Sequence, residues 1–539
     1  MTVEFLPRRA VAIGYGRDST PFLPCRWMVI GIGILVVSVG LFSCPATSAE
    51  ARSVAHAASG VAGTYVALSP ARIADTRAGS GYPNAGQTLG AGGIVNVEIS
   101  GGTVPANGVS AAVLNVTVVN PTAATFLTVY PEGATRPLVA NANVIAGQTS
   151  ANLVTVEVGT QGGVTVYNHS GSTDLVVDVE GYYTVSPLQS GLYDPVNPSR
   201  LLGTSQSGAN IGPGGSTPVQ VTGGTTGVPA DASAVVANVT AAGSTGSGFL
   251  TVYPAQLSTP PVPPTTANVT FSKGQVIGNR VIVPVGANGQ IDLYNHSGIV
   301  NVDVDLYGYY TGSSGELGSA FTPLDPVRFS DTRAGINGSA ISADSSESFN
   351  FLSDDIPTLA VALAANITVL AGPASGFLTI YPTNESTPPV VGDVNFTSDG
   401  LSQSFAVAPL NGAATEIFNS SAAPVGIVVD AFGYFAPPPT VVRVFASPAT
   451  LPSDGMSTSV LTVTVITGSG VAFDDPVTLI STPSVAGACG ITSLAGSTNA
   501  YGQVTSTYTA SVTAGTCTIT ATEANGGVMG STVITQTPT

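Results

Sequence analysis

Apolar and polar residues alternate in short runs along most of the chain, and Gly, Pro, Asn and Ser punctuate the runs. No stretch holds a sustained 3.6-residue period. Period-two runs with turn signals predict short strands, because side chains alternate between the two faces of a pleated strand. One run recurs: Phe-Leu-Thr-Val-Tyr-Pro stands at 126–131 and 249–254, and with Ile for Val at 377–382. Phe126, Thr128 and Tyr130 fall on one face and Leu127 and Val129 on the other. Pro131 then removes a backbone donor and stops the ladder. The run predicts a central core strand of a repeated domain.

The surrounding sequence repeats as well. The copies open on Leu-Ser-Pro-Ala-Arg72, Val-Asn-Pro-Ser-Arg200 and Leu-Asp-Pro-Val-Arg328, and the three arginines stand 128 residues apart. They close on Gly-Tyr182-Tyr183, Gly-Tyr309-Tyr310 and Gly-Tyr434-Phe435. A period this long marks whole domains rather than solenoid units. Each copy predicts eight or nine strands, so the fold class is all-β: three tandem antiparallel β-sandwiches of jelly-roll or Greek-key type at 64–186, 193–311 and 319–435. A β-trefoil is the alternative topology, although no copy shows a threefold pattern inside itself.

Charge is scarce inside these strands, which makes each ionic residue informative. Arg72, Arg200 and Arg328 persist in all copies, as do Asp178, Asp305 and Asp430 near the last strand. An unpaired buried charge is costly. The expected pairs are therefore Arg72 with Asp178, Arg200 with Asp305, and Arg328 with Asp430, clamping first strand to last. Asp75 with Arg77 and Asp331 with Arg333 are expected as second pairs at a turn, missing from the middle copy, where Gly203 and Ser205 stand. The alternative is that these residues line a ligand site. Asn115, Thr117 and their counterparts Asn238, Thr240, Asn366 and Thr368 share a face and read as half-buried polar ladder positions.

Composition narrows the function classes. Charged residues make up 8% and hydrophobic residues 43%, which does not fit a charge-rich disordered chain. The formal net charge of −17 and the single lysine, Lys273, argue against a nucleic-acid surface. Residues 1–49 read as a signal peptide or N-terminal anchor: Arg8, Arg9, Arg17 and Arg26, then an uncharged apolar run from Trp27 to Ser43, then small residues. Membrane contact is expected only through this segment, if it stays uncleaved or if Cys44 is lipidated. Residues 50–63 read as a flexible lead-in, and 436–440 as a proline-rich spacer.

The Pro-x-Arg-x-x-Asp-Thr-Arg openings and Asp-x-x-Gly-Tyr-Tyr endings resemble a repeat of exported proteins from Gram-positive, high-GC bacteria. That resemblance implies export and no defined activity. Residues 441–537 alternate strongly and suit an immunoglobulin-like sandwich. Leu451-Pro-Ser-Asp454-Gly455, Asn499-Ala-Tyr-Gly502 and Ala514-Gly515-Thr516 make this part similar to the bacterial Ig-like (Big-1) domain of invasin- and intimin-type surface proteins. Cys489 and Cys517 depart from that family's pattern. They are the only cysteines beyond the leader, so in an exported protein a disulfide is expected, with two buried thiols as the alternative.

No sequence motif for a cofactor, a metal or a catalytic group stands out. His169 beside Ser170 and Asp174 superficially invites a triad, but sequence neighbours do not make triad geometry. The expectation is an exported, non-enzymatic surface or extracellular protein, a rod of three sandwiches capped by an Ig-like domain. It would adhere to an unknown surface glycan or protein. The first alternative is a carbohydrate- or cell-wall-binding array presenting Tyr182, Tyr183, Tyr309 and Tyr310 as sugar platforms. The second is a secreted hydrolase with an unrecognised site.

Overall fold

The computed structural model describes residues 62–184, 190–258, 261–312, 318–352, 356–398, 400–467, 470–471, 475–492, 496–499, 501–524 and 527–539. The expected leader, Cys44 and most of the lead-in lie outside the described residues.

The first repeat holds β1 (Tyr65–Asp75), β2 (Ile94–Glu98), β3 (Val109–Val119), β4 (Thr125–Pro131), β5 (Ala142–Val144), β6 (Ser150–Glu157), β7 (Gly163–Asn168) and β8 (Asp174–Thr184). The second holds β9 (Tyr193–Gly203), β10 (Ser216–Gln220), β11 (Ala234–Ala242), β12 (Gly248–Pro254), β13 (Val269–Phe271), β14 (Ile277–Pro284), β15 (Gln290–Asn295) and β16 (Asn301–Tyr310). The third holds β17 (Ala320–Asp331), β18 (Ser345–Asn350), β19 (Ala362–Leu370), β20 (Gly376–Pro382), β21 (Val394–Phe396), β22 (Leu401–Pro409), β23 (Ala414–Asn419) and β24 (Gly426–Ala436).

Each repeat forms two four-stranded antiparallel sheets in one order. In the first repeat these are β1-β8-β3-β6 and β2-β7-β4-β5, and the other repeats follow suit. Eight strands paired this way form a jelly roll, and the trefoil alternative falls. The recurring Phe-Leu-Thr-Val-Tyr-Pro run is β4, β12 and β20, inside the second sheet. Leu127 and Val129 point into the core between the two sheets of their own repeat.

The expectation of self-contained units on a rod is corrected by a further core. Besides one core per repeat, a cluster draws Tyr65, Val113 and Tyr183 from the first repeat, Tyr193, Val236 and Tyr310 from the second, and Phe321, Ala364 and Phe435 from the third. The sheets carrying β1, β9 and β17 therefore bury both faces. In β3, Ala112, Leu114 and Val116 face their own repeat's core, while Ala111 and Val113 face the shared one. The first strands also meet: Gly63 N donates to Phe321 O (2.8 Å), Tyr65 N to Gly191 O (2.8 Å) and Tyr193 N to Ser319 O (2.7 Å). Ala62 and Gly63, placed by sequence in the lead-in, thus belong to the folded body.

The C-terminal part holds β25 (Pro439–Ser447), β26 (Thr450–Pro452), β27 (Thr458–Thr467), β28 (Gly470–Val471), β29 (Val477–Pro483), β30 (Ile491–Thr492), β31 (Gln503–Thr509), β32 (Gly515–Glu523) and β33 (Met529–Thr537). Its sheets run β25-β27-β31-β30, with β28 on β27, and β26-β33-β32-β29. They enclose a separate core that includes Leu461, Val463, Tyr508, Ile519 and Ile534. Strand β24 ends at Ala436 and β25 begins at Pro439, so the expected proline spacer shrinks to Pro437 and Pro438.

Candidate functional site

The site that three repeats build together is the line along which they meet. At one end stand aromatic residues. Each first-strand ring lies against the last-strand ring of another repeat: Tyr65 on Tyr310 (centroids 4.4 Å apart), Tyr193 on Phe435 (4.6 Å) and Phe321 on Tyr183 (4.3 Å). This head-to-tail pattern closes after three steps, as a heterologous ring must if it is not to polymerise. Such aromatic pairs contribute about 0.5–1.5 kcal/mol each beyond area burial. The glycine before each pair of rings has a steric reason. A Cβ on Gly181 would sit 2.3 Å from Tyr65 Oη, and one on Gly433 would sit 2.4 Å from Phe321 Cζ.

Tyr183 and Tyr310 are thus buried in the shared core, their hydroxyls 2.6 Å apart, and burial raises both well above the ordinary phenol range. Tyr182 and Tyr309 pack into the cores of their own repeats. The expectation of exposed tyrosine platforms is therefore corrected: alternation along the strand sends one tyrosine of each pair to each core.

Next along the axis comes a layer of amides. Asn115 Nδ2 donates to Ala267 O (2.5 Å), Asn238 Nδ2 to Gly392 O (2.6 Å) and Asn366 Nδ2 to Ala140 O (2.8 Å). Each bond crosses to the next repeat. These asparagines are 0–1% exposed and join repeats, which corrects the reading of them as half-buried ladder positions. The accepting loops are held by the recurring strand. Thr128 Oγ1 donates to Val139 O (2.7 Å), Thr251 Oγ1 to Thr266 O (2.5 Å) and Thr379 Oγ1 to Val391 O (2.5 Å). In return Asn141 Oδ1, Asn268 Oδ1 and Asp393 Oδ2 accept from the backbone of Val129, Val252 and Ile380 at 2.7–2.8 Å. The threonine of the repeated run therefore positions an inter-repeat loop.

The arginine–aspartate pairs flank this layer. Arg72 Nε lies 2.9 Å from Asp178 Oδ1, Arg200 Nε 2.6 Å from Asp305 Oδ1, and Arg328 Nε 2.8 Å from Asp430 Oδ1. Each arginine adds a second bond through Nη2, joining first strand to last. The aspartates also reach across: Ala140 N donates to Asp430 Oδ2 (3.0 Å) and Ala267 N approaches Asp178 Oδ2 (3.5 Å). Burial raises the pKa of all three aspartates against the pull of their arginines.

At the turn, Arg77 forks onto Asp75 and Arg333 onto Asp331, through Nε at 2.9 Å in both. Burial opposes the charge on Asp75 and Asp331, but these bonds hold both carboxyls below their ordinary range. In the middle repeat Gly203 replaces the aspartate, and Arg200 Nη1 instead meets Asp303 at 2.7 Å. Asp75 pairs across the sheet with Val176, Asp331 with Val428, and Gly203 with Asp303. The carboxylate has changed strands at one paired position. Sequence reading missed Asp303 because it occurs in one repeat only, where the other two carry Val176 and Val428.

Three more buried ionic groups escaped sequence reading, each present in one repeat only. Arg280, 0% exposed, is salt-bridged to Asp393 of the third repeat, and its guanidinium sits 3.7 Å above the Tyr307 ring. Cation–π contact helps offset desolvation at Nε and Nη1, which find no acceptor among the described residues. Glu180, 1% exposed, accepts from Asn268 Nδ2 at 2.5 Å across the boundary between first and second repeats. Burial pushes its carboxyl up to about 8.

The remaining sequence candidates are dispersed. His169 lies flat on Phe126 and His296 on Phe249, both at 4.4 Å, and Asp174 is engaged by Thr76 and Thr88. The triad geometry is not assembled. Cys489 and Cys517 are joined by a disulfide. Among the described residues, no cluster of three or more His, Cys, Asp or Glu could hold a metal, and no helix is long and apolar enough to cross a membrane.

The axis ends in an open cavity of about 200 Å³ where the β5–β6, β13–β14 and β21–β22 connections between the two sheets of each repeat converge. Ala111 pairs with Tyr183 and Val118 with Ser150, so the cavity lies at the far end of the sheets from the aromatic ring. It is lined by residues of all three repeats, among them Gln148, Gln275 and Gln403, and among the described residues no lining side chain is charged. Set against known proteins, the chain matches no protein-family model and no curated protein.

Proposed function

We propose that this is an exported, non-catalytic surface or extracellular protein that adheres to a glycan or protein partner. The observation that carries the reading is the use of charge. The recurring arginine–aspartate pairs of the repeat strands turn inward, into clamps and inter-repeat bonds, while the cavity built jointly by three repeats is lined, among the described residues, by amides and no charged side chain. Such a surface suits recognition, which needs placed hydrogen-bonding groups and apolar contact. A disulfide in the C-terminal sandwich agrees with an oxidising compartment. The reading of that sandwich as an Ig-like domain of invasin type, and of residues 1–49 as an export leader, belongs to the same proposal.

Fusion into one body changes how adhesion would work. Three separate modules would gain avidity through multiple weak contacts. A fused body offers one composite surface. The test is a binding screen of the full secreted chain against arrayed glycans and extracellular proteins, run beside a panel of chromogenic glycosides and esters. Saturable binding without turnover is expected. Turnover of any substrate, or no binding to either array, contradicts the proposal.

A further inference from the structure

The hydrogen bonds at the axial cavity decide which way its glutamines face. Ile145 N donates to Gln148 Oε1 (3.2 Å), Ser272 N to Gln275 Oε1 (2.9 Å) and Asn143 N to Gln403 Oε1 (2.8 Å). A backbone N–H can only donate, so each glutamine must turn its carbonyl oxygen to it. The group left over in all three is the amide NH2. One repeat each supplies Gln148, Gln275 and Gln403, so the cavity gathers donors from three chain segments far apart in sequence. Its rim is apolar and exposed: Ile145 at 63%, Val276 at 46% and Leu401 at 46%.

A ligand for this place must accept several hydrogen bonds and also present an apolar patch. Donors alone would suit an anion. The described lining supplies no cation, however, and the chain carries a formal net charge of −17, a field that repels anions. Burying an unpaired charge would be costly as well. A neutral pyranose meets all three conditions: hydroxyl and ring oxygens as acceptors, a C–H face for the rim, and no charge. The volume of about 200 Å³ is somewhat above the roughly 150 Å³ of a cavity that holds one benzene, the scale of a single six-membered ring.

We propose that the axial cavity binds the terminal neutral sugar of a glycan, with Gln275 and Gln403 donating to it and Val276 and Leu401 packing on its face. This rests on the adhesion reading above and names its ligand class. The site exists only because three repeats are fused, since no single repeat brings more than one of the three connections.

The test titrates the full chain with methyl pyranosides of glucose, galactose, mannose and N-acetylglucosamine, with glucuronic acid as the charged control, read by ligand-observed NMR. Saturable binding of at least one neutral pyranoside is expected. It should weaken by about tenfold or more in Gln275→Ala, the effect of losing a well-placed donor. Because Gln403 also braces Asn143, the second variant is Val276→Trp, which fills the mouth from an exposed position without touching a buried bond. It should abolish binding with an unchanged melting temperature. The proposal is overturned if no neutral pyranoside saturates, if glucuronic acid binds as well as the neutral sugars, or if both variants bind like wild type. Adhesion to arrayed targets that survives Val276→Trp would overturn the site and leave the adhesive function standing. Loss of all target binding in the wild type would remove the function itself.

Discussion

The strands β3 and β32 are both central in their sheets, yet they are buried differently. In β3 (Val109–Val119) every residue between the two ends is buried, whereas β32 (Gly515–Glu523) alternates buried and half-buried positions. Continuous apolar strands are covered on both faces, and alternating ones on a single face. The first belongs to a body in which three sandwiches share a core; the second belongs to a sandwich that closes on its own core and a disulfide. Two-sided burial is thus the mark of fusion, and the polar groups on the second face decide which sandwiches fuse and in what order.

The sharpest way to break this contrast is to unbalance the second face. Asp393→Asn leaves Arg280 buried without its counter-ion, and removing one partner of a buried pair costs about 3–5 kcal/mol. Asp393 occupies the place of Asn141 and Asn268, and Arg280 that of Leu153. The double variant Asp393→Asn with Arg280→Leu should therefore recover most of the loss, as read by chemical denaturation of the repeats. Reducing Cys489–Cys517 should instead weaken only the C-terminal sandwich. The loop between them spans 28 residues, for which about 3–4 kcal/mol is expected from loop entropy. The repeats' transition should not move.

A gentler probe is Glu180. Its carboxyl is raised in the folded state, so the unfolded chain sheds its proton first. Stability from this group is complete at low pH and is lost as pH rises from the ordinary carboxylate range to about 8. The slope is about 1.4 kcal/mol per pH unit, or roughly 2 kcal/mol between pH 6 and 8. Glu180→Gln should flatten the melting temperature over that window relative to wild type. The smallest effect concerns a gap in the amide layer. Asn115 Oδ1 accepts from Asn279 and Asn366 Oδ1 from Asn152, both across a repeat boundary. Asn238 Oδ1 has no partner among the described residues, because Ser404 stands in the third position and is too short. Ser404→Asn should supply the missing bond and stabilise the repeats by about 1 kcal/mol.

Much of the architecture was legible in the sequence. Strand periodicity and the repeat period led to all-β sandwiches, and charges isolated in apolar strands pointed to Arg72 with Asp178 and its two counterparts. The fusion was legible only in part. The second face of β3 is built from Ala111, Val113, Asn115 and Thr117, short and polar side chains that pass for a half-exposed surface when one repeat is considered alone. What distinguishes them is cover from a neighbour more than a hundred residues away, which local pattern does not encode. Asp303 was hidden because the other repeats carry Val176 and Val428 at its position. Arg280 and Asp393 could have been found as single charges in apolar surroundings, and Glu180 as a second acid beside Asp178, but each occurs in one repeat only, so comparison between copies passed over them. The cavity glutamines carry no signal of their own, since they gain meaning only where connections from three repeats converge.

The central claim is that the three repeats are one folded body. Protease sites placed in the connectors at 186–190 and 313–317, followed by cleavage and size-exclusion chromatography without denaturant, test it most directly. The account expects the severed repeats to co-elute as one particle and to melt in one transition. Separation into stable, monomeric single-repeat fragments would contradict it.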